Sequence, residues 1–182
     1  MKRKRLLFHI CCAPCSGFLS KRLIDDFQLT VYFDNPNLWP AEEFVKRARE
    51  AEKYFKSQGV EFILAQPDYE AWKRLGEGLE MEAERGRRCK RCYHYRLRLT
   101  AEYAARNNFD IFTTSLSISP YKDAKAIKNI SQALAKQYQL EFLADDFRLN
   151  DGFKKAMDFA RQQGFYRQKY CGCEFSLKNG KI

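Results

Sequence analysis

Short apolar runs alternate along the chain with longer stretches in which apolar residues recur every three or four positions. Residues 6–11, 29–33, 60–64, 109–114 and 140–143 read as buried strands. Residues 16–27, 40–58, 92–107, 123–139 and 150–163 read as amphipathic helices, and 69–75 as a short one. In the second of these, Phe44, Ala48, Ala51 and Phe55 fall on one face, Glu43 and Arg47 are spaced to pair across a turn, and Gly59 ends it. Strands separated by helices imply right-handed crossovers. The expected fold is therefore α/β, a parallel sheet flanked by helices in a three-layer sandwich. In such sheets a ligand binds beyond the carboxyl ends of the strands. Cys11 and Cys12, Asp34 and the segment 115–122 each follow a predicted strand, so all three are expected in one cleft.

A chain of 182 residues, 45% of them hydrophobic, suits one domain over 1–182 with no disulfide support. No repeat or linker divides it. There are 33 Lys and Arg against 23 Asp and Glu, a net charge of +10. That surplus favours a polyanionic partner such as nucleic acid, although a soluble basic protein without one has the same charge. The apolar run at 6–10 is too short for a secretory leader, contains His9 and meets Cys11 without a small-residue cleavage site. No stretch is long enough to span a membrane. The expected location is the cytoplasm, where thiols stay reduced.

Seven cysteines in such a chain call for chemistry. Six fall in close pairs: Cys11–Cys12, Cys89-x-x-Cys92 and Cys171-Gly-Cys173, the last in a C-terminal segment 165–182. A local turn aims two sulfurs at one point with little ordering cost, and pure sulfur ligation suits zinc or an iron–sulfur cluster. Cys89 and Cys92 are expected just before a helix, whose N-terminal dipole favours thiolates. Adjacent side chains on a strand point oppositely, so Cys11 and Cys12 belong to the turn after it or serve different partners. Cys171 and Cys173 either ligate metal or cycle between dithiol and disulfide. Two other classes fit some of these residues. One is a thioredoxin-like thiol–disulfide oxidoreductase using Cys12 and Cys15, which leaves the remaining pairs without a role. The other is a zinc-stabilised RNA-binding module, whose closed four-ligand site leaves three cysteines over.

Residues 84–98 read ERGRRCKRCYHYRLR, with seven Arg or Lys against one Glu and with Tyr93 and Tyr95 interleaved. Guanidinium groups pair with phosphates, and tyrosine rings give stacking platforms. A solvated helix face is the alternative. His94 reads as a surface residue, and His9, inside a strand, as a packed one with a hydrogen-bond partner. The loop 33–40 holds Asp34, a candidate acid, metal ligand or turn cap. The loop 113–122 ends on hydroxyls and Lys122 before a helix, which suits either an anion or an ordinary cap.

Five stretches in order, HICCAPCS (9–16), FDNPNLWPAEEF (33–44), RCKRCYHYRL (88–97), TTSLSISPYK (113–122) and YRQKYCGCEFS (166–176), together resemble the QueH type of epoxyqueuosine reductase, which is cobalamin-independent. The resemblance runs over nearly the whole chain. It implies an adenine nucleotide alpha-hydrolase-like (HUP, Rossmann-like) sandwich. It implies reductive deoxygenation of epoxyqueuosine in tRNA to queuosine, the last step of queuosine biosynthesis. It further implies a 4Fe–4S cluster held by Cys11, Cys12, Cys89 and Cys92. Beside the cluster it implies either an additional mononuclear iron that Cys171 and Cys173 help to hold, or a redox-active pair formed by those two; a Lewis-acidic metal or an acid such as Asp34 is then expected to take up charge on the epoxide oxygen. Cys15 receives no role. Tyr121, Lys122, Arg167 and Lys169 are the expected substrate or phosphate contacts. The partners implied are tRNA and an electron donor of unstated identity, with no membrane.

Overall fold

The computed structural model describes residues 3–178, without the Lys178 side chain. Its centre is a five-stranded sheet: β1 (Arg5–His9), β2 (Gln28–Phe33), β3 (Glu61–Leu64), β4 (Ile111–Thr114) and β5 (Glu141–Phe142). All pairings are parallel and the strand order is β3-β2-β1-β4-β5. Seven α-helices surround it among the described residues: α1 (Ala13–Asp26), α2 (Ala41–Ser57), α3 (Tyr69–Arg74), α4 (Arg87–Arg106), α5 (Ala124–Gln137), α6 (Gly152–Gln162) and α7 (Glu174–Lys178).

The strands are buried on both faces, so they read as near-continuous apolar runs. On β1 the side chains alternate. Leu6 and Phe8, with Ile10 just beyond, enter a core shared with Leu19 and Leu23 of α1, Ala48 and Phe55 of α2, and Phe159 of α6. Leu7 enters the opposite core, with Leu97 and Ala101 of α4 and Ile127 and Leu134 of α5. The sheet is thus the middle layer of a three-layer α/β sandwich. On α2 the expected stripe faces the core, and Glu43 and Arg47 form a buried pair at 2.7 Å. Gly59, at φ 68°, makes the left-handed turn that ends the helix region.

Three helix starts differ from the sequence pattern by two residues or more. Helix α1 begins at Ala13 rather than residue 16, because Pro14 sits in its first turn, where no backbone N–H is needed. Helix α4 begins at Arg87, five residues before the expected start. There the Glu82 carboxylate accepts from the Arg87 backbone N at 2.9 Å, satisfying a free donor of the first turn. The helix expected over 150–163 begins at Gly152, because Asn150 and Asp151 are left-handed and form a 3-10 turn instead.

Candidate active site

Strand order reverses between β1 and β4, which makes their carboxyl ends the place for a ligand. A cleft of about 570 Å³ lies there. Three segments line it: the turn after β1 with the start of α1 (Cys11, Cys12, Cys15), the loop after β4 (Ser115, Tyr121, Lys122), and the C-terminal segment (Arg167, Lys169, Cys171). All four residues expected to contact substrate are on its wall.

The turn after β1 is set by backbone bonds. Ile10 N donates to Tyr32 O at 3.0 Å, and Asn35 Nδ2 donates to Ile10 O at 2.8 Å. Cys12 is the extended residue before α1, and its sulfur lies 3.8 Å from that of Cys11. The hydrogen bond with Cys12, burial and mutual charge push the Cys11 thiol well up. Cys11 hydrogen-bonding pulls Cys12 down, but its bond with Cys15 and burial outweigh that and raise it to about 11. Gln168 Nε2 donates to Cys12 Sγ at 3.2 Å from the opposite wall.

Cys171 is the opposite case. Hydrogen bonding with Cys173 and the charge of Lys122 outweigh burial and hold its thiol well below the usual range. Lys122 Nζ donates to Cys171 Sγ at 3.1 Å. Although Lys122 is buried, the negative charge on Cys171 outweighs burial and raises its ammonium. Cys173 is correspondingly raised by its bond with Cys171 and by burial. The seven cysteines are all free thiols.

The segment carrying Cys171 has no regular structure before α7, and α2 grips it. Arg47 donates from Nη1 to Cys171 O at 3.2 Å and from Nη2 to Tyr170 O at 3.4 Å, while its Nε donates to Glu43. Glu50 accepts from Tyr166 N at 2.7 Å, and Tyr170 OH donates to Trp39 O at 2.7 Å. Gly172, at φ 112°, passes so close that a Cβ there would meet Leu38 at 2.3 Å and Arg47 at 2.9 Å.

Cys89 and Cys92 lie in the first two turns of α4, not ahead of it. Burial raises Cys89 to about 11 despite the favourable helix end. Cys89 interacts electrostatically with both Cys92 and Cys171. Cys92 packs on the small cluster of Trp72, Cys173 and Phe175. Among the described residues no group of three or more His, Cys, Asp or Glu side chains is gathered closely enough to hold a metal ion. Thiols are the soft donors that suit zinc or iron–sulfur, and the pairs are linked only in steps: Cys89 lies within electrostatic reach of Cys171, and Lys122 within reach of both Cys171 and Cys11. Among the described residues Ser115 Oγ and Gln168 Oε1 on the cleft wall are buried without a partner, as befits a surface that receives a ligand.

Asp34 is not on that wall. It is buried behind it, where Oδ2 accepts from Tyr32 OH at 3.0 Å and its backbone O faces His9 Nε2 at 3.2 Å. Burial raises its carboxyl. His9 is the packed histidine expected. A carbonyl only accepts, so Nε2 carries the proton, and Nδ1 accepts from Thr114 Oγ1 at 2.9 Å. Thr114 also caps the 3-10 turn Ser115–Ile118, and Asp123 caps α5, so the hydroxyl-rich loop takes the capping role. The sequence pattern gave Arg47 only as the partner of Glu43, and did not single out Gln168 or Arg96. Arg96 is 1% exposed, donates to Asn35, and its charge acts on Cys11, Cys171 and His9. Their motifs were in view, but only the fold shows which way they face.

Fold and site together define a parallel α/β protein with paired thiols at the switch point of its sheet. The profile of the family "Epoxyqueuosine reductase QueH" matches residues 6–179. A protein of that name from Haemophilus influenzae is 36% identical over 177 residues, covering 96% of this chain and 72% of the relative. One from Streptococcus pyogenes is 35% identical over 182 residues, covering 97% and 71%. The chain belongs to the epoxyqueuosine reductase QueH family, a family of enzymes. In fold it is similar to a crystal structure from Methanocaldococcus jannaschii described as a predicted subunit of tRNA methyltransferase. That likeness has a TM-score of 0.56 at 12% identity, and covers 86% of this chain and 74% of that one.

Proposed function

We propose that the protein reduces epoxyqueuosine in tRNA to queuosine in the thiol-lined cleft. The observation that carries this is the meeting of Cys11, Cys12, Lys122 and Cys171 from three distant segments at the switch point. Loss of the epoxide oxygen as water breaks two C–O bonds and consumes two electrons and two protons. Oxidation of Cys171 and Cys173 to a disulfide releases two electrons and two protons, so one dithiol balances one turnover. An electron donor must then return the pair to thiols. Lys122 holds a proton at Nζ beside Cys171, where a developing negative charge on oxygen would be met. Arg167 and Lys169 bring positive charge to the mouth, and Tyr121 offers a ring that is 42% exposed.

In this reading Cys11, Cys12, Cys89 and Cys92 hold a 4Fe–4S cluster, with Cys171 and Cys173 as the redox pair or as ligands of an additional iron. Such a cluster supplies electrons one at a time. The raised thiols at Cys11, Cys12 and Cys89 would release protons as metal binds.

The test is anaerobic purification with iron, sulfide and zinc analysis, then an assay on epoxyqueuosine-containing tRNA with a strong reductant. The expected result is a brown protein that converts the epoxide, and a Cys89→Ala variant that loses both colour and activity. A variant that keeps its full iron content overturns the ligand set. A colourless protein with one zinc and no conversion overturns the function.

A further inference from the structure

The basic run on α4 is divided by the helix period into two halves with different roles. Arg88 and Arg96 point inward. Arg88 donates to the carbonyls of Leu79 at 3.0 Å and Glu80 at 2.7 Å, and Arg96 to Asn35. Lys90, Arg91 and His94 are exposed, and Arg98 is half-buried. With Arg74 at the end of α3 they line a hollow of about 670 Å³, and Tyr95 lies half-buried on its wall. No lining residue is acidic.

The charge of this hollow is mostly uncompensated. Of its cationic side chains only Arg98 forms an ion pair among the described residues, with Glu102 at 2.5 Å. Arg91 donates to the neutral Leu75 carbonyl at 3.1 Å and so keeps its full charge. Asp68 and Asp34 lie within electrostatic range of Tyr95, but neither lines the hollow. The Arg98 guanidinium sits 5.4 Å over the Tyr95 ring, which holds that ring in place. Several positive groups spaced along one helix around an aromatic face match a phosphodiester backbone, whose charges repeat, better than a single small anion.

We infer that this hollow is a binding site for the RNA backbone, separate from the cleft. It grips the substrate away from the nucleotide that reacts. The inference rests on the proposed activity for the identity of the RNA. Position supports it: Lys90 and Arg91 lie between Cys89 and Cys92, and Arg98 is about 14 Å further along the same helix from Cys89. A strand that delivers a nucleotide to the thiols therefore has its next phosphates within reach of α4.

The test uses the anaerobically purified full-length protein and unmodified tRNA as the probe, with affinity read by fluorescence anisotropy across a salt series. Arg74→Ala with Lys90→Ala removes two exposed charges that make no ion pair among the described residues. Arg49→Ala with Lys53→Ala removes the same charge from the exposed side of α2 and is the control. The expected result is a Kd raised at least tenfold by the first pair and less than twofold by the control. The slope of log K against log salt should shrink by about two for the first pair, roughly one for each phosphate that is no longer neutralised. Equal affinities for wild type and the first pair, or equal weakening in both doubles, overturn the hollow. Wild-type protein that binds tRNA through these residues but leaves the epoxide intact overturns the activity and leaves the hollow standing.

Discussion

The turn after β1 and the segment before α7 each carry a close pair of thiols, of which Cys11, Cys12 and Cys171 line one cleft, yet they are built by opposite means. Main-chain bonds to β2 and the start of α1 hold Cys11 and Cys12. Their thiols are buried beside each other and are pushed up. Cys171 and Cys173 hang on a stretch with no strand or helix of its own, fixed by side chains from α2. There an ammonium group is brought to the sulfur, and Cys171 is pulled down. A rigid backbone is enough to deliver a neutral thiol. A thiolate in the same interior needs a cation carried in from a distant part of the chain.

The strongest way to break this contrast is to remove the clamp. Arg47→Ala leaves the buried Glu43 without its cation and with only the Tyr166 hydroxyl as a partner, and loss of one member of a buried pair costs about 3–5 kcal/mol. It also frees the carbonyls of Tyr170 and Cys171. Denaturant unfolding should show that destabilisation, and limited proteolysis should cut first within residues 165–173. An Arg47→Ala protein cut no faster there than wild type would show that the segment does not depend on α2. Lys122→Met is next. In metal-free protein at neutral pH, alkylation of Cys171 should slow at least tenfold, since each unit of thiol pKa is a factor of ten in thiolate. Cys11, governed first by Cys12 and by burial, should react as before. Equal slowing at both sites would mean that Lys122 acts as a general field and not as the partner of one sulfur.

The two pairs should also answer oppositely to pH in metal-free protein. The folded-state value of Cys12, about 11, stands above the ordinary 9.0. Its neutral thiol therefore favours the fold fully below pH 9, and that contribution fades as pH climbs from 9 through 11, by roughly 2–3 kcal/mol at most. Cys171 is depressed, so its thiolate favours the fold above pH 9, and the contribution fades as pH falls towards its folded value. Stability differences between wild type and single Cys→Ser variants, followed from pH 6 to 11, should slope in opposite directions for Cys12 and Cys171. Parallel slopes would end the distinction.

Much of this was legible in the chain. Parallel strands buried on both faces write themselves as apolar runs, and the stripes of α2 and α5 name the side that meets the sheet. The switch-point rule brings Cys11, Cys12 and Lys122 to one place from the strand pattern alone. The first turn of α4 was not legible, because Arg87 and Arg88 carry no apolar stripe and a cap from Glu82 is a side-chain event. Nor was the contrast between the thiols. It depends on Arg47 and Lys122, which lie 124 and 49 residues from Cys171. The basic run, read as one positive stretch, divides into buried and exposed halves only when wound onto a helix.

The smallest expected effect belongs to Asp34, and it sharpens where the chemistry ends. An aspartate after β2 was a natural acid for the reaction, and burial does raise its carboxyl. But it stands behind the cleft wall, with Oδ2 taken by Tyr32 OH. Asp34→Asn keeps an oxygen for that hydrogen bond and nearly the same volume. It removes only the charge that faces Arg96. If Asp34 braces Tyr32 and the His9 strand end, turnover should change by less than about threefold, a difference near 0.7 kcal/mol. The pH profile should keep its shape, because no titrating acid of the reaction has been removed. A hundredfold fall in kcat with the acid limb of the profile gone would place Asp34 among the catalytic residues, and Lys122 would no longer be the proton source nearest the substrate oxygen.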